Sequence, residues 1–145
     1  YLHGRMRQDG GRMPRVMMKF GASHMMRGRT FTQVFDLGTL ASEIADVHGS
    51  RSFGVLMLGG AGTTHAVTDP RVFRSVEAPV EVEPWAQPFY DAADPARWTV
   101  LDLRPLRARI PRLGALPDQT LQVLYGFDAV VILSGSGPQH DLEAR

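Results

Sequence analysis

Two glycine-bounded apolar runs, RVMMKF at residues 15–20 and SFGVLMLGG at 52–60, flank a stretch of helical periodicity. No other feature constrains the fold as much. A short apolar run that stops at glycine has the length of a strand. Between the two runs Leu40, Ile44 and Val47 recur at intervals of four and three, with Ala41 and Ala45 alongside, so they share one helix face while Glu43 and Asp46 face water. Strand, helix and strand in that order imply a βαβ unit near residues 15–58 with a right-handed parallel connection. The expected fold class is therefore α/β with a mostly parallel sheet, either a whole domain or the C-terminal part of a larger one.

The rest of the chain is read around that unit. Thr30 and Gln33 have capping-box spacing, which places a first helical segment with Phe31, Val34 and Phe35 on one face; Gly38 interrupts the pattern without excluding a continuous helix, and Gly49 ends the helix. An alternating run at VEAPVEVEPW suits a short edge strand, and Pro79, Pro84 and Pro88 limit a central-sheet assignment. PWAQPFYDAADPAR reads as a loop or partial helix with an aromatic cluster. WTVLDL and FDAVVILS are strands, TLQVLYG is a short helix, and a helical turn is expected on either side of Pro111. Residues 1–14, with the turn signal QDGGRMP, form a lead-in or peripheral segment, and 15–145 form a single α/β domain or part of one.

The 145 residues can enclose a core, and an apolar fraction of 43% against 21% charged places the chain among globular proteins rather than disordered ones. No apolar run reaches the span of a bilayer. The chain is read as soluble, with the compartment undecided and the cytoplasm preferred, and no membrane partner is expected. The absence of cysteine excludes disulfides, thiol nucleophiles and thiolate metal sites. The net charge of +1 conceals an asymmetry: residues 1–30 carry six arginines and Lys19 against Asp9, whereas residues 36–94 hold nine acids against three arginines. That pattern suits docking between segments or an anionic ligand at the basic end. With one lysine and no dense basic helix, no nucleic-acid partner is expected. The chain begins YLHGRMRQ, and an upstream segment or a second copy is kept as a partner.

In a parallel unit the loops after both strands reach one rim, where open sheets hold their ligands. His24 is the catalytic candidate there, as general base, general acid or hydrogen-bonded rim residue. Lys19 either contacts an anion or packs its stem with its ammonium in water. Arg27 and Arg29 form an anion clamp or remain solvated. The turn LGGAGTTH lacks the register of a phosphate loop, but Gly60, Thr63, Thr64 and His65 are candidates for substrate contact. Ser134 and Ser136 stand outside a GxSxG elbow, with His140 nearby in sequence. Asp36, Asp102 and Asp128 are carboxylate partners; Asp36 is equally a cap, and Asp128 is weighted towards structure. His3 and His48 belong to the lead-in and the helix end. Five dispersed histidines lack metal-site spacing, and no metal or cofactor is implied.

The stretches VMMKFGASHMMRG, FDLGTLASEIA, SFGVLMLGG and YGFDAVVIL resemble the C-terminal portion of the erythromycin-esterase-like α/β hydrolytic group. The resemblance covers residues 15–65 and, less clearly, 121–134. It implies water-dependent cleavage of an ester-like substrate, with His24 in the active site and Arg27 at its rim. The functional expectation is a hydrolase or hydrolase-derived domain acting on a small ester-like or anionic substrate. The alternatives are a non-catalytic domain that binds a small anion, or a structural fragment of a larger assembly.

Overall fold

The computed structural model describes residues 2–60, 63–69, 74–112 and 114–134. In chain order the elements are α1 (Leu2–Gln8), α2 (Ala22–Met25), α3 (Leu37–Val47), β1 (Val55–Gly59), β2 (Thr63–Asp69), β3 (Arg74–Pro79), α4 (Gln87–Asp91), β4 (Thr99–Asp102), α5 (Arg104–Arg107), a 3-10 turn (Ile110–Arg112), α6 (Asp118–Gly126) and β5 (Ala129–Leu133). They fall into two compact units, one built from residues 1–55 and 103–128, the other from 56–102 and 129–145.

The expected mostly parallel sheet with a βαβ unit at 15–58 is not formed. Residues 15–20 are extended but pair with no strand among the described residues. Val16, Met17, Met18 and Phe20 are exposed, Met17 by 94%. Apolar content makes a segment able to enter a sheet, but only a neighbour's backbone makes it a strand. The sheet that does form is mixed and three-stranded, ordered β1-β5-β4: β5 runs parallel to β1 and antiparallel to β4. A separate antiparallel pair joins β2 to β3, with its register shifting between Val67 and Asp69.

The expected capping box is also replaced. Residues 31–33 form a turn closed by Thr30 N–H donating to Val34 O at 3.0 Å, and Gln33 takes the left-handed φ of 63°. The helix begins at Leu37, whose N–H donates to Asp36 Oδ1 at 2.7 Å. An ionised carboxylate satisfies an orphan helix donor and favours the positive helix end, so Asp36 outcompetes Thr30 as the cap. Gly38 lies inside α3, which runs on through it from Leu37. It is buried because the helix lies against the 25–26 backbone, and a Cβ at this position would overlap the Met25 carbonyl. Thr39 Oγ1 fastens the same contact, accepting from Gly28 N–H at 2.9 Å and donating to Gly28 O at 3.1 Å.

The first unit is centred on Asp128, whose side chain is 5% exposed. Its Oδ1 accepts from Arg27 at 2.7 Å and Arg107 at 3.1 Å, and its Oδ2 accepts from Gly54 N–H at 2.8 Å. Its own N–H donates to Gly54 O, and its carbonyl accepts from Leu103 N–H. Arg107 continues to the carbonyls of Leu124 and Phe127 at the end of α6. Around this network Met26, Leu103, Val123, Leu124 and Phe127 are buried. Each such side chain removed from water contributes roughly 1.5–3 kcal/mol.

In the second unit Leu56, Val130 and Ile132 are buried, as are Ala86 and Phe89 beside and within α4. Tyr90 Oη donates to Gly59 O, and burial pushes its phenol above the usual range. Gly60 lies so close to the end of β5 that an added Cβ would come within 2.5 Å of Ser134 Cα.

Two outcomes follow from these contacts. Gly38→Ala destabilises the fold by about 2 kcal/mol, because backbone rather than a flexible side chain must give way; a lowered urea midpoint at constant slope measures it. Asp128→Ala costs about 3 kcal/mol by leaving two half-buried guanidinium groups without their carboxylate. Burial pushes the Asp128 carboxyl up, but the hydrogen bond from Arg27, the Gly54 N–H, the Arg27 charge and Arg107 outweigh it and hold the carboxyl below its usual 3.8. A depressed carboxylate adds stability that is full above the unfolded value and lost as pH falls through the folded one. Acid titration of unfolding below pH 3.8 therefore shows a loss of stability that is smaller in Asp128→Ala.

Candidate functional site

His24 sits in the single turn of α2, which begins after Gly21 and is followed by an extended Met26. The backbone of that segment is held from two directions: Arg27 N–H donates to Gly126 O at 3.1 Å, and Gly28 meets Thr39 of α3. This places the imidazole beside the start of α3. His24 Nδ1 lies 2.7 Å from Asp36 Oδ2. A carboxylate only accepts, so Nδ1 carries the hydrogen and Nε2 is the lone-pair nitrogen of the neutral ring. The His24 side chain is 58% exposed.

Asp36 thus uses both oxygens, Oδ1 on the helix N-terminus and Oδ2 on the histidine. The hydrogen bond from His24, then that from Leu37 N–H, holds its carboxyl below the usual range against a small opposing effect of burial. Beside it lies an open depression of about 550 Å³ lined by Phe35, Asp36, Leu37, Thr39, Leu40 and Glu43. Its ionisable groups are both carboxylates, and the remaining walls are mostly apolar.

The other sequence candidates fall elsewhere. Arg27 has its guanidinium on Asp128 within the first unit, and Arg29 lies over the Phe35 ring at 6.0 Å. Lys19 is exposed in the extended 15–20 segment. Gly60 belongs to the second unit, where its N–H donates to Leu133 O at 2.9 Å. Thr63, Thr64 and His65 are backbone members of β2 opposite Pro79, Ala78 and Glu77, and their side chains lie outside the described residues. Ser134 is buried and donates to Asp94 O at 3.0 Å, while Ser136 and His140 lie outside the described residues. Asp102 ends β4, His3 is in α1, and His48 caps the end of α3.

The histidine was legible as a candidate, but its pairing with Asp36 was not singled out among three acids. A local signal for Asp36 existed, since an aspartate immediately before the periodic run LGTLASEIADV occupies an N-cap position. Among the described residues no three His, Asp or Glu side chains stand together as a metal site, and no helix is long and apolar enough to cross a membrane. No family model, curated protein or solved structure matches the chain.

Asp36→Asn separates the two duties of this residue. Asparagine still caps a helix but supplies no negative charge to the imidazole. Because the Asp36 carboxyl is depressed, its contribution is full above pH 3.8 and fades as pH falls through the lower folded value. Hydrogen exchange at the Leu37 amide is expected to accelerate in that acid range in the native sequence and to show no such step in Asp36→Asn.

Proposed function

We propose that the first unit is a hydrolase or hydrolase-derived domain in which His24, oriented by Asp36, acts as a general base towards water. The observation that carries this reading is the 2.7 Å Nδ1–Oδ2 contact, which leaves Nε2 as the acceptor on an exposed ring. A neutral imidazole takes a proton from a water molecule as that water attacks the ester carbonyl carbon and the π pair moves to the carbonyl oxygen; the neighbouring carboxylate stabilises the imidazolium, which returns the proton to the leaving alkoxide as the ester C–O bond breaks. The resemblance to the erythromycin-esterase-like group supports the same assignment for His24.

The surroundings favour a different substrate charge from that suggested by the basic N-terminal sequence. Asp36 and Glu43 line the adjoining depression with Phe35, Leu37 and Leu40, an arrangement suited to a neutral or cationic ester with an apolar body. Arg27, one of the basic candidates for an anion contact, is engaged by Asp128. Binding without turnover would instead make the domain a small-molecule binder.

The test is hydrolysis of a small activated ester, p-nitrophenyl acetate, by the full chain. His24→Gln is expected to lower kcat by about a hundredfold or more and to abolish the rise in rate with pH, while far-ultraviolet circular dichroism stays unchanged. Equal turnover in a folded His24→Gln protein removes the assignment.

A further inference from the structure

Within the first unit, the turn at residues 30–34 sets Arg29 and Phe35 opposite one another as an isolated antiparallel bridge. Side chains facing each other across such a pair are neighbours, and the Arg29 guanidinium accordingly lies over the Phe35 ring, 6.0 Å from its centroid. This ring therefore already takes a cation on its face. At that distance the contact is at the outer limit of cation–π attraction, and Phe35 is still 67% exposed, so Arg29 does not saturate it.

Phe35 also lines the depression beside Asp36, together with Leu37, Thr39, Leu40 and Glu43 from the first two turns of α3. The two carboxylates there differ in how much of their charge is left. Asp36 uses both oxygens, on Leu37 N–H and on His24. Glu43 is exposed and forms no ion pair among the described residues, and α3 contains no lysine or arginine that could supply one.

An aromatic face, two leucines and one uncompensated carboxylate select a particular kind of cation. A hard metal ion needs several oxygen donors, and among the described residues no three His, Asp or Glu side chains stand together. A primary ammonium is strongly hydrated and would have to shed water against Phe35, Leu37 and Leu40. A quaternary ammonium presents an apolar surface to those walls, and both the ring and the carboxylate attract its charge.

Building on the hydrolase reading above, we infer that this depression holds the quaternary ammonium group of a cationic ester, with Glu43 selecting for the charge and Arg29 competing for the Phe35 ring. Asp36 belongs to both places, lining the depression and bonding His24 through Oδ2. The cation is thereby held next to the carboxylate that orients the proposed base.

Two esters of matched shape test this on the full chain: acetylcholine and its neutral carbon isostere, 3,3-dimethylbutyl acetate, with acid release followed by titration at constant pH. The ratio of kcat/KM is expected to favour acetylcholine by about tenfold, through KM rather than kcat, and to shrink with added salt. Glu43→Gln is expected to abolish that preference and Arg29→Gln to increase it, each with unchanged circular dichroism. A site for anions gives the opposite signs. Equal kcat/KM for the two esters, or a preference that survives Glu43→Gln, overturns the inference and leaves the role of His24 standing. If neither ester is cleaved, the hydrolase reading falls and choline binding measured by calorimetry decides the site. Saturable binding that Glu43→Gln weakens supports a cation site; no binding, or binding indifferent to Glu43→Gln, overturns it.

Discussion

The carboxylate of Asp128 is the contact on which the first unit depends. It is almost fully buried, and a charge in that position is tolerable only when every oxygen is engaged. Arg27, Arg107 and the Gly54 N–H meet that requirement from three distant parts of the sequence. The same bonds fix where the chain passes. Arg27 is held between Asp128 and the end of α6, so the residues just before it cannot wander, and these include His24. The position of the candidate site is thus set by an interaction that takes no part in its chemistry.

Asp36 links stability and chemistry more directly. One oxygen holds the first turn of α3 and the other holds the imidazole, so the orientation of His24 is referred to a helix axis rather than to a free loop. Gly38 and Thr39 bring that helix against residues 25–28, which keeps donor and acceptor within hydrogen-bonding distance. A longer side chain at 38 would separate the two segments whose closeness makes the pair.

The regular elements were largely legible as patterns. Helices at 37–47 and 118–126 and strands at 55–59, 99–102 and 129–133 fall where periodicity and apolar runs put them. Two segments depart from their local pattern for the same reason. Residues 15–20 have strand composition but no neighbouring backbone among the described residues, and Thr30 has cap spacing but loses the helix to Asp36. In both cases a local preference was overridden by which groups came close in space. His24 was recognisable because a histidine after an apolar run and a glycine is chemically conspicuous, whereas nothing near Arg27 in the sequence marks its pairing with Asp128, 101 positions later.

By itself the sequence determined the local terms: which stretches favour helix or strand, where glycine and proline stop them, the absence of thiol chemistry, and the uneven placement of charge. Those are properties of a few adjacent residues and survive any arrangement of the chain. Tertiary structure alone decided that the sheet is mixed, that Asp128 gathers two arginines, and that His24 and Asp36 share a proton-bearing contact. Strand direction and side-chain pairing depend on distances between segments remote in sequence, and no local propensity encodes those distances.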